Sequence, residues 1–196
     1  MPNKLRTIIT VLMLLLSVGA FAKSGQYKVT ANSKEIGTLV VKETKEDKVS
    51  QIEIISDVSV RVIFLVELNY KLNSIYENGV LQYSKVTTCL NDKVHSTTTV
   101  EKQGEKYLIV KDGKKSIFDK AIKYTGAMIY LYEVEEGSTV FSEIDAAENR
   151  VKKIGPNRYK LYNPKNKEIA EYYYENGNLQ KAIVRQPFVD FIMTAI

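Results

Sequence analysis

The chain has 196 residues with 28 Lys+Arg against 23 Asp+Glu, and the charges alternate, as in Lys42-Glu43-Thr44-Lys45-Glu46-Asp47-Lys48. No basic stripe gathers of the kind that nucleic acid requires, so nucleic acid is not an expected partner. A single Cys and a single His exclude an intrachain disulfide and a zinc tetrad of Cys and His, and neither a metal nor another cofactor is expected.

The first 22 residues read as a secretory signal peptide: Lys4 and Arg6, an apolar run over 8–18, then Ala20-Phe21-Ala22 as a small-x-small cleavage site. The run is about 11 residues, too short for a bilayer that needs roughly 20. Residues 23–196 are then one exported β domain with no membrane span, located in the periplasm or outside the cell. Two of the 28 basic residues leave with the signal, which lowers the balance to 26 against 23. Cys89 does not follow the signal, so it is not a lipid-anchor cysteine.

Turn signals punctuate residues 23–196 at short intervals: Asn32-Ser33-Lys34, Glu46-Asp47, Asn78-Gly79, Asn91-Asp92, Gln103-Gly104, Asp112-Gly113, Gly155-Pro156-Asn157, Asn163-Pro164-Lys165-Asn166 and Asn176-Gly177. Asn-Gly and Asp-Gly accept the positive φ angles of tight hairpins, so neighbouring strands are expected to be antiparallel. The longest periodic signal covers 58–72, where every even position is apolar: Val58, Val60, Val62, Phe64, Val66, Leu68, Tyr70 and Leu72. Period two over this length predicts one extended strand about 50 Å long, which must bend. The expected fold class is therefore mainly all-β: a strongly curved antiparallel meander sheet or an open β-barrel. Val62, Phe64, Val66, Leu68 and Tyr70 are expected to line its groove.

Cys89, within Val86-Thr87-Thr88-Cys89-Leu90, is expected to be a buried thiol acting as a small hydrophobe. His95 has no glycine-flanked serine to serve and is expected to be an exposed strand residue. A short helix is expected over 125–133, capped by Thr125 with Met128, Leu131 and Tyr132 on one face; a further strand is the competing reading. Glu133, Glu135, Glu136, Glu143, Asp145 and Glu148 form an acidic stretch. It reads as a solvated loop, with a carboxylate pair for glycan hydrolysis as the sharper alternative.

Tyrosine is the unusual resource, 13 residues with no Trp. Tyr76-Glu77-Asn78-Gly79-Val80-Leu81 is echoed by Tyr174-Glu175-Asn176-Gly177-Asn178-Leu179. Hairpin chemistry explains the echo more simply than duplication of a half-domain.

Four segments carry a resemblance over nearly the whole of 23–196. They are Tyr27-Lys28-Val29 followed by Ile36-Gly37-Thr38-Leu39; Tyr76-Glu77-Asn78-Gly79-Val80-Leu81; Leu131-Tyr132 with Val140-Phe141-Ser142-Glu143; and Tyr174-Glu175-Asn176-Gly177-Asn178-Leu179. Through them the chain resembles a family of exported bacterial β proteins catalogued only as a domain of unknown function. That resemblance implies a curved antiparallel sheet and an envelope location, and it implies no activity. The residues themselves favour non-catalytic binding of a lipid or other apolar or amphiphilic molecule. A module that pairs a free sheet edge with an envelope protein is the alternative, and a carboxylate hydrolase stands behind both.

Overall fold

The computed structural model describes residues 21–61, 65–187 and 189–196. The chain forms β1 (Phe21–Ala31), β2 (Lys34–Glu46), β3 (Val49–Arg61), β4 (Leu65–Glu77), β5 (Val80–Leu90), β6 (Lys93–Gln103), β7 (Lys106–Lys111) and β8 (Lys114–Phe118). After a long connection come β9 (Thr139–Ser142), β10 (Ala147–Gly155), β11 (Arg158–Tyr162), β12 (Glu168–Glu175), β13 (Asn178–Val184) and β14 (Phe191–Ala195).

The expected turns connect the strands as the sequence indicates. Asn78 and Gly79 (φ 51° and 74°), Asp112 and Gly113 (49° and 79°) and Asn176 and Gly177 (51° and 75°) occupy the left-handed region that two-residue hairpins demand. All strand pairs are antiparallel and form one sheet in the order β8-β7-β6-β5-β4-β3-β2-β1-β14-β13-β12-β11-β10-β9. The two chain-terminal strands thus meet in the middle of the sheet, with Tyr27 opposite Ala195 and Val29 opposite Met193.

The expectation of one strand across 58–72 is corrected. Residues on its two sides belong to separate antiparallel strands, β3 and β4, with Val60 opposite Val66 and Arg61 opposite Leu65. The register pairs even with even: Val58 lies opposite Leu68 and Ile54 opposite Leu72. Even positions therefore stay on one face when the chain reverses direction, and the period-two pattern runs on unbroken between the two strands. Val62 and Phe64 lie outside the described residues.

The sheet rolls up without closing into a barrel. Its two end strands do not pair with each other, but Phe118 on β8 meets Phe141 on β9 with ring centroids 5.3 Å apart. Thr98 on β6 donates to the Ile144 carbonyl at 3.1 Å. Inside the roll runs the β8–β9 connection, whose Ile122, Ala127, Ile129, Leu131 and Val134 are buried with the inward residues of both halves in one core. The expected helix over 125–133 is a single 3₁₀ turn, Ala127–Tyr130, and Thr125 does not cap it. The Glu143 carboxylate takes that place, accepting from the Gly126 and Ala127 amides.

Irregular backbone inside a core must find partners for its polar groups. Here inward tyrosines supply many of them. Tyr27 donates to the Tyr130 carbonyl at 2.7 Å and Tyr174 to the Ile129 carbonyl at 3.0 Å. Tyr107 accepts from the Ile122 amide at 3.2 Å while donating to the Leu81 carbonyl at 2.9 Å. Tyr76 shares a hydrogen bond of 2.7 Å with the Thr125 hydroxyl. The two Tyr-Glu-Asn-Gly hairpins reach the connection from opposite halves of the sheet, Tyr174 at a backbone carbonyl and Tyr76 at the Thr125 side chain. In each, a register shift just before the tyrosine sets it opposite a buried leucine, Tyr76 to Leu81 and Tyr174 to Leu179.

Candidate ligand cavity

Above the inner connection, the half of the sheet that carries β3 and β4 faces the half that carries β9 to β13 across a cavity of about 400 Å³. Ile54 and Tyr70 come from the first half, Leu161, Ile169 and Tyr172 from the second, and Ile129, Tyr130 and Glu143 from the connection and the loop after β9. This size lies within the range of roughly 300 to 1,000 Å³ usual for small-molecule sites. The walls are mainly apolar and aromatic with a few convergent polar groups, the usual make-up of such sites.

Glu143 is the polar centre, 3% exposed. Its Oε2 accepts from the Gly126 amide at 3.0 Å and its Oε1 from the Ala127 amide at 3.3 Å. Burial pushes its carboxyl above the ordinary value, while the Thr125 hydroxyl and the amides of Glu143, Ala127 and Gly126 oppose that shift. Around it stand the tyrosines. Burial raises the Tyr70 hydroxyl well above its ordinary value, and Glu143, Tyr130 and Tyr76 add to the shift. Tyr172 is raised in the same way, first by burial and then by Tyr130 and Tyr124. Among the described residues, neither the Tyr70 nor the Tyr172 hydroxyl forms a hydrogen bond. Both are free to meet a ligand.

At the rim, Arg185 is held by carboxylates: Glu168 at 3.0 Å, Glu171 at 3.7 Å and Asp190 at 2.5 Å. A second cleft of about 440 Å³, lined by Lys23, Tyr27, Val40, Leu131 and Asn178 among others, has no acidic side chain in its walls among the described residues. The first is the better candidate because its polar groups converge from several elements.

Of the residues expected to line a groove, Tyr70 lines this cavity; Val66 and Leu68, both half-buried, do not border it. The acidic stretch does not behave as one solvated loop. Glu135, Glu136 and Asp145 are exposed, but Glu133 accepts from Tyr159 at 2.8 Å and Glu143 is buried. Cys89 is a free thiol, half-buried rather than buried, since it lies near the end of β5 beside the Asn91-Asp92 turn. His95 is exposed on β6. Among the described residues, no three His, Cys, Asp or Glu side chains stand close enough to hold a metal ion. None of the helices described there is long and apolar enough to cross a membrane.

The fold and cavity together define an all-β protein with a rolled, unclosed meander sheet and a tyrosine-walled cleft between its halves. The chain belongs to a family described as a domain of unknown function (DUF6134), whose model matches residues 27–195. No curated protein and no solved structure gives a significant match.

Proposed function

We propose that this is an exported, non-catalytic binding protein that takes an amphiphilic small molecule into the cavity between the two halves of its sheet. The observation that carries the reading is the pair of unpartnered tyrosine hydroxyls, Tyr70 and Tyr172, in a space otherwise walled by side chains such as Ile54, Ile129, Leu161 and Ile169. Apolar walls reward removal of a hydrocarbon body from water, at about 25 cal/mol per Å². The hydroxyls then fix a polar end by hydrogen bonds. Export is supported by the basic, apolar and small-x-small pattern of the first 22 residues.

The test is native mass spectrometry on the protein purified under mild conditions from the cells that make it, followed by thermal melts with amphiphiles of graded chain length. An adduct extractable into organic solvent, or a rise in melting temperature that saturates with amphiphile, is the expected result. A bare protein whose melting temperature no amphiphile raises overturns the reading, and a single co-purified envelope protein would favour strand pairing at the β8 edge instead.

A further inference from the structure

We infer that the ligand of this cavity presents an organic cation, an amine or quaternary ammonium head, to Glu143 and the surrounding tyrosines. The inference rests on the binding function proposed above and adds the chemistry of the head group. Glu143 is buried, and among the described residues no Lys, Arg or His comes within ion-pair distance of it. Its partners are the Gly126 and Ala127 amides and the neighbouring Thr125 hydroxyl, all neutral donors.

Among the described residues the one basic side chain in the cavity wall, Arg185, is already committed to Glu168, Glu171 and Asp190. Asp145, the other charged residue there, adds further negative charge at an exposed position, tempered by Lys111 at 3.8 Å. Among the described residues the cavity therefore holds a buried carboxylate that has hydrogen bonds but no cationic partner, and burying a charge without a counterion is costly. A cationic ligand removes that cost, a neutral one leaves it, and an anionic one compounds it.

The walls point the same way. Tyr70, Tyr130 and Tyr172 all border the cavity. The π-systems of aromatic rings attract a desolvated ammonium, and a quaternary ammonium makes no hydrogen-bond demand on the site. Ile54, Ile129 and Ile169 leave apolar surface for the rest of the molecule.

The experiment is calorimetric titration of the protein in its exported form with dodecyltrimethylammonium, dodecyl maltoside and dodecyl sulfate, each below its micelle concentration. The cation is expected to bind at least about tenfold more tightly than the other two, a difference well resolved in Kd. Glu143→Gln is expected to bring the ratio of cation to maltoside affinity from at least about tenfold to near one. A second measurement needs no variant: tetramethylammonium chloride should weaken binding of the cationic amphiphile more than sodium chloride does at matched ionic strength. Equal binding of all three amphiphiles, or tightest binding of the sulfate, overturns the cation assignment and leaves the binding function standing. Binding of none of them overturns both.

Discussion

Glu143 illustrates how a single side chain is shaped by its enclosure. Its carboxyl is raised by burial, so the folded protein holds that proton more tightly than the unfolded chain does. Its contribution to stability is therefore greatest below the ordinary carboxylate value of 4.5 and is lost as pH rises through the higher folded value. Glu143→Gln removes this dependence. The melting temperature of the variant should gain on that of the natural protein as pH climbs from acid to neutral, and a difference that stays constant with pH would refute the assignment. The role is not legible in the sequence, where Glu143 is one of six acidic residues between 133 and 148; the cavity around it is completed by residues such as Tyr70 and Tyr172, distant along the chain on either side. Gly37 is a sharper case of local necessity. Its φ is 154°, and a Cβ there would lie 2.0 Å from the Asp57 carbonyl oxygen on the neighbouring strand. Gly37→Ala should cost on the order of 4 kcal/mol by denaturant unfolding, at the extreme of single substitutions. A loss below about 1 kcal/mol would show that β2 and β3 can part without penalty.

Strands and turns are largely readable because their signals are local. Asn78-Gly79, Asp112-Gly113 and Asn176-Gly177 report backbone angles that few other residue pairs accept. The boundary between β3 and β4 is not readable, because the even-to-even register carries the same alternation through the reversal. The inner connection is hidden for a different reason. Over 125–131 the odd positions Thr125, Ala127, Ile129 and Leu131 are buried, which imitates a strand, while its hydrogen-bond partners come from distant tyrosines. Only the abundance of tyrosine hints at this, since a hydroxyl at the end of an apolar ring suits an interior that must still satisfy backbone groups. Tyr107→Phe tests the arrangement. It strands the Ile122 amide and the Leu81 carbonyl together and should cost about 1 to 3 kcal/mol in chemical denaturation, against nearly nothing for Tyr83→Phe. Alkaline titration gives a second test. Burial raises the hydroxyls of Tyr27, Tyr76, Tyr124, Tyr130 and Tyr174 above their ordinary value of 10.0, so the stability they support is fully present below that pH and is lost as pH rises through their higher folded values. Tyrosinate absorbance should therefore appear in a cooperative step that coincides with loss of circular dichroism, and gradual ionisation of a still folded protein would contradict the buried arrangement.

At the scale of the whole molecule, the decisive contact is the pairing of β1 with β14. The strands from β1 to β8 and from β9 to β14 are each built from neighbours in sequence, apart from this one junction. It joins residues near the two ends of the chain, Tyr27 with Ala195 and Thr30 with Ile192, so its loop-closure cost is the greatest in the fold. The inner connection cannot be fully enclosed before the junction forms, because Tyr27 and Tyr76 grip it from one side of the junction and Tyr174 from the other. Local hairpins should therefore form early and the seam late, giving folding in the slow range of milliseconds to seconds that non-local β topologies show. A chain ending at Pro187, which lacks β14, retains every hairpin up to β13 but loses the junction. The expected result is a protein with strand-like circular dichroism, no cooperative melt and amides of the inner connection that exchange rapidly with solvent. If the truncated chain instead melts cooperatively and protects the Ile122 and Gly126 amides, the connection is held without the β1–β14 junction, through Tyr107 on β7 and through Phe141 and Glu143. The cavity between the halves would then be a space that opens and closes around an independently stable core.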